Sequence, residues 1–436
     1  MKKILNCNIV RNGIALILVL VLALGIDVTS KTSVYAALNT NQEEEIQTIL
    51  EQYFAELFEV LLEDSDVDYS SNDFSSINGY IIAKNLVNTR QTYNKLLGGI
   101  HNVDIQEIVI DDLSENEDEL EAMVYVKYLF TYGEDTEDEQ CTTGTLYRVI
   151  LETTENSYTV TDIDNTDIEI QRIKDALNNE KTRSTEDNFN VVDVYFEEIQ
   201  KNADSLLETT DIVEVEDTED GEYETTSVST SYNVTKARNY GYKLGDNYNN
   251  YIFKRASLDC TNFVSQCVWS GYGGASGYTI PEDPSLNNET CVALKNRVKS
   301  DYRMTSSWYG RNYDSTLGDP PSNFCGVVSF YDYVTTNSGN GPQATAYNNG
   351  KVYTNLSVKM KKGDVLQFYD SDAGRYYHSV IVVSTTDYSV SDYQSVKVAQ
   401  HESEYNNRNL SELITNFGGS SCKMRLLRFN LATFAE

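Results

Sequence analysis

Between Glu44 and Leu62 the apolar residues Ile46, Ile49, Leu50, Tyr53, Phe54, Leu57, Phe58 and Leu61 recur at intervals of three and four. That spacing keeps them on one face of an α-helix. A second helix is expected over Tyr80 to Leu97, with Ile81, Leu86, Tyr93 and Leu96 among its apolar positions. The period then changes to two. Val103, Ile105 and Val109 alternate with polar residues, as do Val124, Val126, Tyr128, Phe130 and Tyr132. Tyr147, Val149 and Leu151 repeat the pattern, and Tyr158 and Val160 do so more briefly. Acidic turns at Glu115–Glu119 and Glu134–Glu139 separate the runs, which is the reading for antiparallel strands.

Two helices followed by about four strands predict an α+β unit over 37–165. The order resembles the cone-shaped folds of nuclear-transport-factor-like and cystatin-like domains, a resemblance that fixes no function. Helical stretches follow at Ile168 to Leu177 and Val191 to Leu207. The chain then enters Thr209–Ser231, rich in Glu, Asp, Thr and Ser, so 166–231 is read as an acidic helical and linker region.

From about Tyr232 the balance shifts to Gly, Tyr, Asn and Trp. In Asp259-Cys260-Thr261-Asn262-Phe263-Val264-Ser265-Gln266-Cys267-Val268 the apolar residues have helical spacing, so a buried helix starts near Cys260. Downstream, Val365 to Phe368, a polar turn at Asp370 to Gly374, and Tyr376 to Val383 form an expected hairpin. A third strand, Ser395 to Gln400, ends at His401-Glu402. The fold class is therefore α+β, with a cysteine-bearing helix packed on an antiparallel sheet over 232–436.

At the N-terminus, Lys2, Lys3 and Arg11 precede an apolar run from Ile14 to Ile26, and Val34-Tyr35-Ala36 follows. A basic region, a run too short for a membrane span, and a small-x-small site read as a secretory signal cut after Ala36. The expected location is therefore secreted or cell-surface, with no membrane attachment after cleavage.

Charge divides the chain further. Residues 37–229 carry 10 basic and 48 acidic residues, whereas 230–436 carry 20 and 18. A chain with a net charge of −33 is a poor nucleic-acid partner, because that affinity rests on lysines and arginines neutralising phosphates. Three histidines are too few for a multi-His metal centre, and no loop has calcium-hand spacing, so neither metal nor cofactor is expected. Seven cysteines in 436 residues are too sparse for a disulfide scaffold, although Cys291, Cys325 and Cys422 are available to pair.

Asp259 is a favourable N-cap type, which puts Cys260 at a helix start where the macrodipole favours a thiolate. The same pair also reads as a core cysteine behind a convenient cap. His378 opens a buried strand and His401 ends another, so two of the three histidines lie near one sheet. A thiol hydrolase needs a base within reach of sulfur and a third polar group to orient that base. Asn262 and the N–H of Cys260 are candidate donors to an oxyanion.

These residues carry a resemblance. Tyr232-Asn233, Ala237-Arg238-Asn239-Tyr240, Asn247-Tyr248 and Tyr251-Ile252-Phe253 lead into Asp259 to Gln266. Gly363-Asp364-Val365, His378-Ser379-Val380-Ile381, Ala399-Gln400-His401 and Asn407-Arg408-Asn409-Leu410 then follow. Over about 230–430 the chain resembles the secreted Gram-positive "putative amidase domain" family, papain-like cysteine hydrolases related to the CHAP amidases. The resemblance implies a papain-like fold with Cys260 as nucleophile and His378 as general base, acting on an amide of bacterial cell-wall peptidoglycan. For the third group Gln400, His401 and Glu402 all qualify by position. His401 is preferred because an imidazole in this role appears in relatives, and Glu402 is the alternative because a carboxylate stabilises an imidazolium.

The reading is a secreted cysteine amidase with an acidic accessory half. Two other classes stay open: a surface interaction protein that keeps the hydrolase fold as a binding module, and a thiol protease acting on proteins.

Overall fold

A computed structural model describes residues 40–62, 76–116, 119–133, 139–153, 157–165, 167–179, 185–208, 229–385 and 390–434. The expected signal segment, 1–36, and most of the acidic stretch after Leu207 lie outside them. Helix α1 (Thr40–Glu59) and helix α2 (Ile77–Leu96) come first. Helix α2 starts three residues before the apolar periodicity because Ser76 caps it, accepting the Gly79 N–H at 2.9 Å. Strands β1 (Ile100–Asn116), β2 (Glu119–Tyr132), β3 (Gln140–Thr153) and β4 (Tyr158–Asn165) follow, all paired antiparallel in sequence. Along β2, Leu120, Ala122, Val124, Val126, Tyr128 and Phe130 are buried under the helices while the residues between them are half-buried.

Helices α3 (Ile168–Asn179) and α4 (Thr185–Glu208) lead to the short strand β5 (Ser229–Thr230) and then to helix α5 (Val234–Leu244). Helix α6 (Asp259–Gly271) is buried along its whole length, and α7 (Glu289–Lys299), α8 (Ser322–Cys325) and α9 (Val327–Thr336) succeed it. The remaining strands are β6 (Ala344–Tyr347), β7 (Val365–Asp370), β8 (Arg375–Ser384), β9 (Lys397–Gln400) and β10 (Glu404–Asn409). Helix α10 (Leu410–Asn416) precedes β11 (Met424–Phe429) and β12 (Ala432–Thr433). The architecture is α+β around one large antiparallel sheet, in the order β1-β2-β3-β10-β9-β8-β7-β11-β6, with β4 beside β3.

The expected runs of strands thus share one sheet, joined where β10 pairs β3 through Glu404–Gly144 and Tyr405–Thr143. Gly144 is required there: a Cβ would lie 2.6 Å from the Asp246 carbonyl oxygen. Around the join Thr142 N–H donates to Asn406, Asn407 donates to the Gln140 carbonyl, and Lys127 pairs with Asp246 at 3.0 Å. The described residues from Thr40 onward pack as one compact unit.

The C-terminal strands are buried on both faces. Val365, Ile381, Val383, Ala399 and Leu427 face the cluster built on α5 and α6. Leu366, Phe368, Val380, Val382, Val398 and Leu426 face a second cluster that includes α10 and also takes Leu96, Ile168 and Leu206 from the N-terminal helices. Among the described residues no helix is long and apolar enough to cross a membrane.

Candidate active site

Strand alternation decides which groups meet. On β8, His378 shares a face with Val380 and Val382, the face of α10. On β9, Gln400 shares that face with Val398, because Ala399 opposes Ile381 on the other. Gln400 therefore reaches His378, with its Oε1 3.2 Å from Nε2. The Gln400 amide nitrogen donates to the carbonyls of Glu402 (3.3 Å) and Ser403 (3.1 Å), which fixes the amide with its oxygen toward the ring. An amide oxygen only accepts, so His378 carries its proton on Nε2 and its lone pair on Nδ1. That Nδ1 is buried and has no hydrogen-bond partner.

The preferred third group, His401, falls on the opposite face and does not touch His378. Its ring stacks on Phe263 of α6 at 3.9 Å, Nδ1 lies 2.6 Å from Asp259 Oδ2, and Nε2 lies 3.1 Å from the Leu244 carbonyl. Of the three positional candidates, the one whose side chain hydrogen-bonds the His378 ring is Gln400, one position earlier.

Cys260 enters from the first turn of α6. Beside it Thr261 Oγ1 lies 2.9 Å from Ser379 Oγ, and Gln367 donates to the same hydroxyl at 3.0 Å, so the helix start is tied to the β7–β8 hairpin. The Cys260 sulfur, a His378 ring nitrogen and a Glu402 carboxylate oxygen lie within 4.8 Å of one another. Thiolate, imidazole and carboxylate are also a donor set that suits Zn²⁺, so these three residues are where a metal could sit.

The electrostatics differ from the helix-start expectation. Cys260 is 1% exposed, and burial, with Glu402 adding to it, pushes its thiol well above the usual range rather than below it. His378 is fully buried, and desolvation lowers it to about 4 against the opposing pull of Glu169, so the imidazole is neutral at pH 7. Burial raises Glu402 to about 8, keeping its carboxyl protonated at neutral pH next to the sulfur. Glu402 and Ser403 hold φ of 66° and 59°, a left-handed pair that turns β9 into β10 without glycine or asparagine. One Glu402 oxygen accepts the Asp259 N–H.

Asp259 does not cap α6. It is the first helical residue, Leu258 precedes it without a side-chain cap, and Asp259 Oδ1 instead accepts the Ala256 N–H at 2.8 Å. Burial pushes its carboxyl up, but Arg255 and His401 outweigh that and hold it at about 2. Asn262 is also spoken for: its amide donates to Asp259 Oδ1 at 2.7 Å and to the Lys254 carbonyl at 3.2 Å, so it clasps the turn before the helix.

Several supporting residues went unread in the sequence. Phe417, just after α10, lies parallel to the His378 ring at 6.0 Å. Arg408 pairs with Glu412 at 2.7 Å and with Glu169 of α3 at 2.9 Å, and Glu169 also accepts from Ser403. A lone glutamate on an amphipathic helix gives no sequence signal for such a contact. Cys291, Cys325 and Cys422 are all free, as are the other described cysteines, so no disulfide forms among them. Trp269 and Trp308 are fully buried and line no groove.

No curated protein and no solved structure matches the chain. A family match exists for the C-terminal part. Residues 231–425, the stretch that holds α6 and the β7–β10 strands, match the family model described as "Putative amidase domain", and that match supports amidase-type hydrolysis.

Proposed function

We propose that the C-terminal half is a papain-like cysteine amidase that cleaves an amide bond of peptidoglycan outside the cell. The observation that carries this reading is the close approach of the Cys260 sulfur to His378, whose tautomer Gln400 sets. In this mechanism His378 Nδ1 takes the thiol proton and the sulfur attacks the amide carbonyl. The N–H of Cys260, at the start of α6, is the natural donor to the developing oxyanion. The imidazolium returns its proton to the leaving amine as the C–N bond breaks, leaving a thioester on Cys260. Water, deprotonated by the same imidazole, hydrolyses that thioester and frees the acid and the thiol. Neutral Glu402 suits this chemistry, because an ionised carboxylate so close would oppose the thiolate. Export is supported by the basic segment, the apolar run from Ile14 to Ile26 and the site after Ala36.

One observation favours a second reading, a binding module without catalysis: Cys260 is buried and its thiol is raised. The two readings separate on purified peptidoglycan digested with the full chain carrying Arg172→Asp, which breaks the Arg172–Asp370 ion pair beside the enclosed site, with product masses and newly released amino groups as the readout. The amidase reading expects amine release that vanishes in Cys260→Ala. Release that persists in Cys260→Ala would contradict it.

A further inference from the structure

The cluster that would do chemistry is closed. Cys260 is 1% exposed, His378 0% and Glu402 9%. The clefts lined by Lys236, Lys243 and Tyr278 and by Gln91 and Gln200 contain none of the three. A polymer amide has no route to a sulfur so enclosed.

Helix α3, which lies before the family match, packs against this site. Glu169, Arg172 and Asp175 stand at i, i+3 and i+6, one stripe of the helix. Glu169 binds Arg408 and Ser403, the residue after Glu402 in the strained turn. Arg172 pairs with Asp370, at the end of β7, at 2.6 Å and donates to the Asn416 carbonyl at 2.9 Å. Its guanidinium also lies 4.8 Å from the ring of Phe417, the ring that parallels His378. Asp175 is close enough to act on Tyr377, the neighbour of His378, as Glu402 does. On the same stripe Ile168 joins the core that holds Phe417 and Val380, and Ile170 and Ile173 are buried as well.

We propose that α3 is a lid held shut on the Cys260–His378 site by Arg172 on Asp370 and Phe417 and by Glu169 on Ser403 and Arg408, which makes the chain latent until the helix is displaced. The proposal rests on the reading of Cys260 as nucleophile, and it gives the acidic half a role: it supplies the cover. Arg172 and Glu169 touch no reacting atom in this scheme. Displacement breaks two ion pairs, a cation–π contact and the Arg172–Asn416 and Ser403–Glu169 hydrogen bonds and withdraws Ile168 from its core, while α6 and the β7–β10 strands keep their own packing.

The test is iodoacetamide labelling of the full chain, read site by site by peptide mass mapping. Wild type, Arg172→Asp and the swapped pair Arg172→Asp/Asp370→Arg are compared. Buried Cys267, which lies in the core on the other face of the sheet, reports any general unfolding. Arg172→Asp should label Cys260 about tenfold faster or more, the factor that roughly 1.4 kcal/mol of lost closing energy gives. Cys267 should stay slow, and the swapped pair should return toward the wild-type rate. If Arg172→Asp loses its fold, the milder Arg172→Gln is judged on the same criterion. The lid is overturned if wild-type Cys260 already reacts like an open thiol, or if a folded variant gains no rate. Peptidoglycan cleavage measured in parallel separates the two claims. Faster labelling without hydrolysis leaves the lid standing and defeats the amidase reading, whereas wild-type hydrolysis as fast as the variant's does the reverse.

Discussion

Glu402→Gln tests whether a neutral carboxyl sits beside the proposed nucleophile. Gln keeps the shape and the oxygen that accepts the Asp259 N–H, and removes only the ability to ionise. Glu402 is 9% exposed, and burial outweighs the hydrogen bond from the Asp259 N–H and raises its carboxyl from an ordinary value near 4.5 to about 8. The native state therefore keeps this proton between those values while the unfolded chain releases it. Stability is lost as pH rises through that window. Between pH 5 and pH 8 the loss for one such group is about 3 kcal/mol. The variant has no group to ionise, so its stability relative to wild type should rise by about 3 kcal/mol from pH 5 to pH 8. Urea unfolding at four or five pH values, followed by tryptophan fluorescence, measures it, since Trp269 and Trp308 are both buried. A difference that stays constant with pH, or that favours wild type at pH 8, would refute a protonated Glu402.

Two further outcomes follow from the contacts of β9 and α6. Gln400→Leu leaves the His378 Nε2–H buried without an acceptor and frees the ring to turn, so kcat should fall about 10- to 100-fold with little change in KM. His401→Leu should instead cost stability, and an effect on kcat larger than that of Gln400→Leu would reverse the assignment. Asp259→Asn keeps acceptors for Ala256 and Asn262 but loses its charge against Arg255 and His401. Its carboxyl is held at about 2, so the stability it contributes is present above the ordinary range near 3.8 and is lost as pH falls toward 2. The variant should cost about 2 kcal/mol at pH 7 and about 1 kcal/mol less at pH 3; a cost that does not shrink in acid counts against the ion pair.

The sequence was most readable where one face of an element meets water. Periods of three and four placed α1 and α4, and the alternation in β2 matches its burial from Leu120 to Phe130. Helix α6 and the β7–β8 hairpin were legible from apolar spacing and the turn at Asp370–Gly374. The third group at the site was not. β8 and β9 are covered on both faces, so hydropathy marks no inner side, and Gln400 and His401 differ only by a face that register decides. The thiol was misjudged for a related reason. A helix start favours an anion, but the desolvation of a sulfur 1% exposed outweighs it, and burial by distant segments leaves no mark near Cys260. The continuity of the sheet through Gly144 and Glu404 was equally hidden, since strand partners 260 residues apart have no local signature.

The central claim is a thioester on Cys260. Full-length Arg172→Asp protein, incubated with soluble peptidoglycan fragments and quenched in acid, can be digested and mapped by mass spectrometry for an acyl adduct. The account predicts an adduct on the peptide that carries Cys260, absent from Cys260→Ala together with amine release. Amide cleavage by that protein with Cys260 replaced, at an undiminished rate, would contradict it.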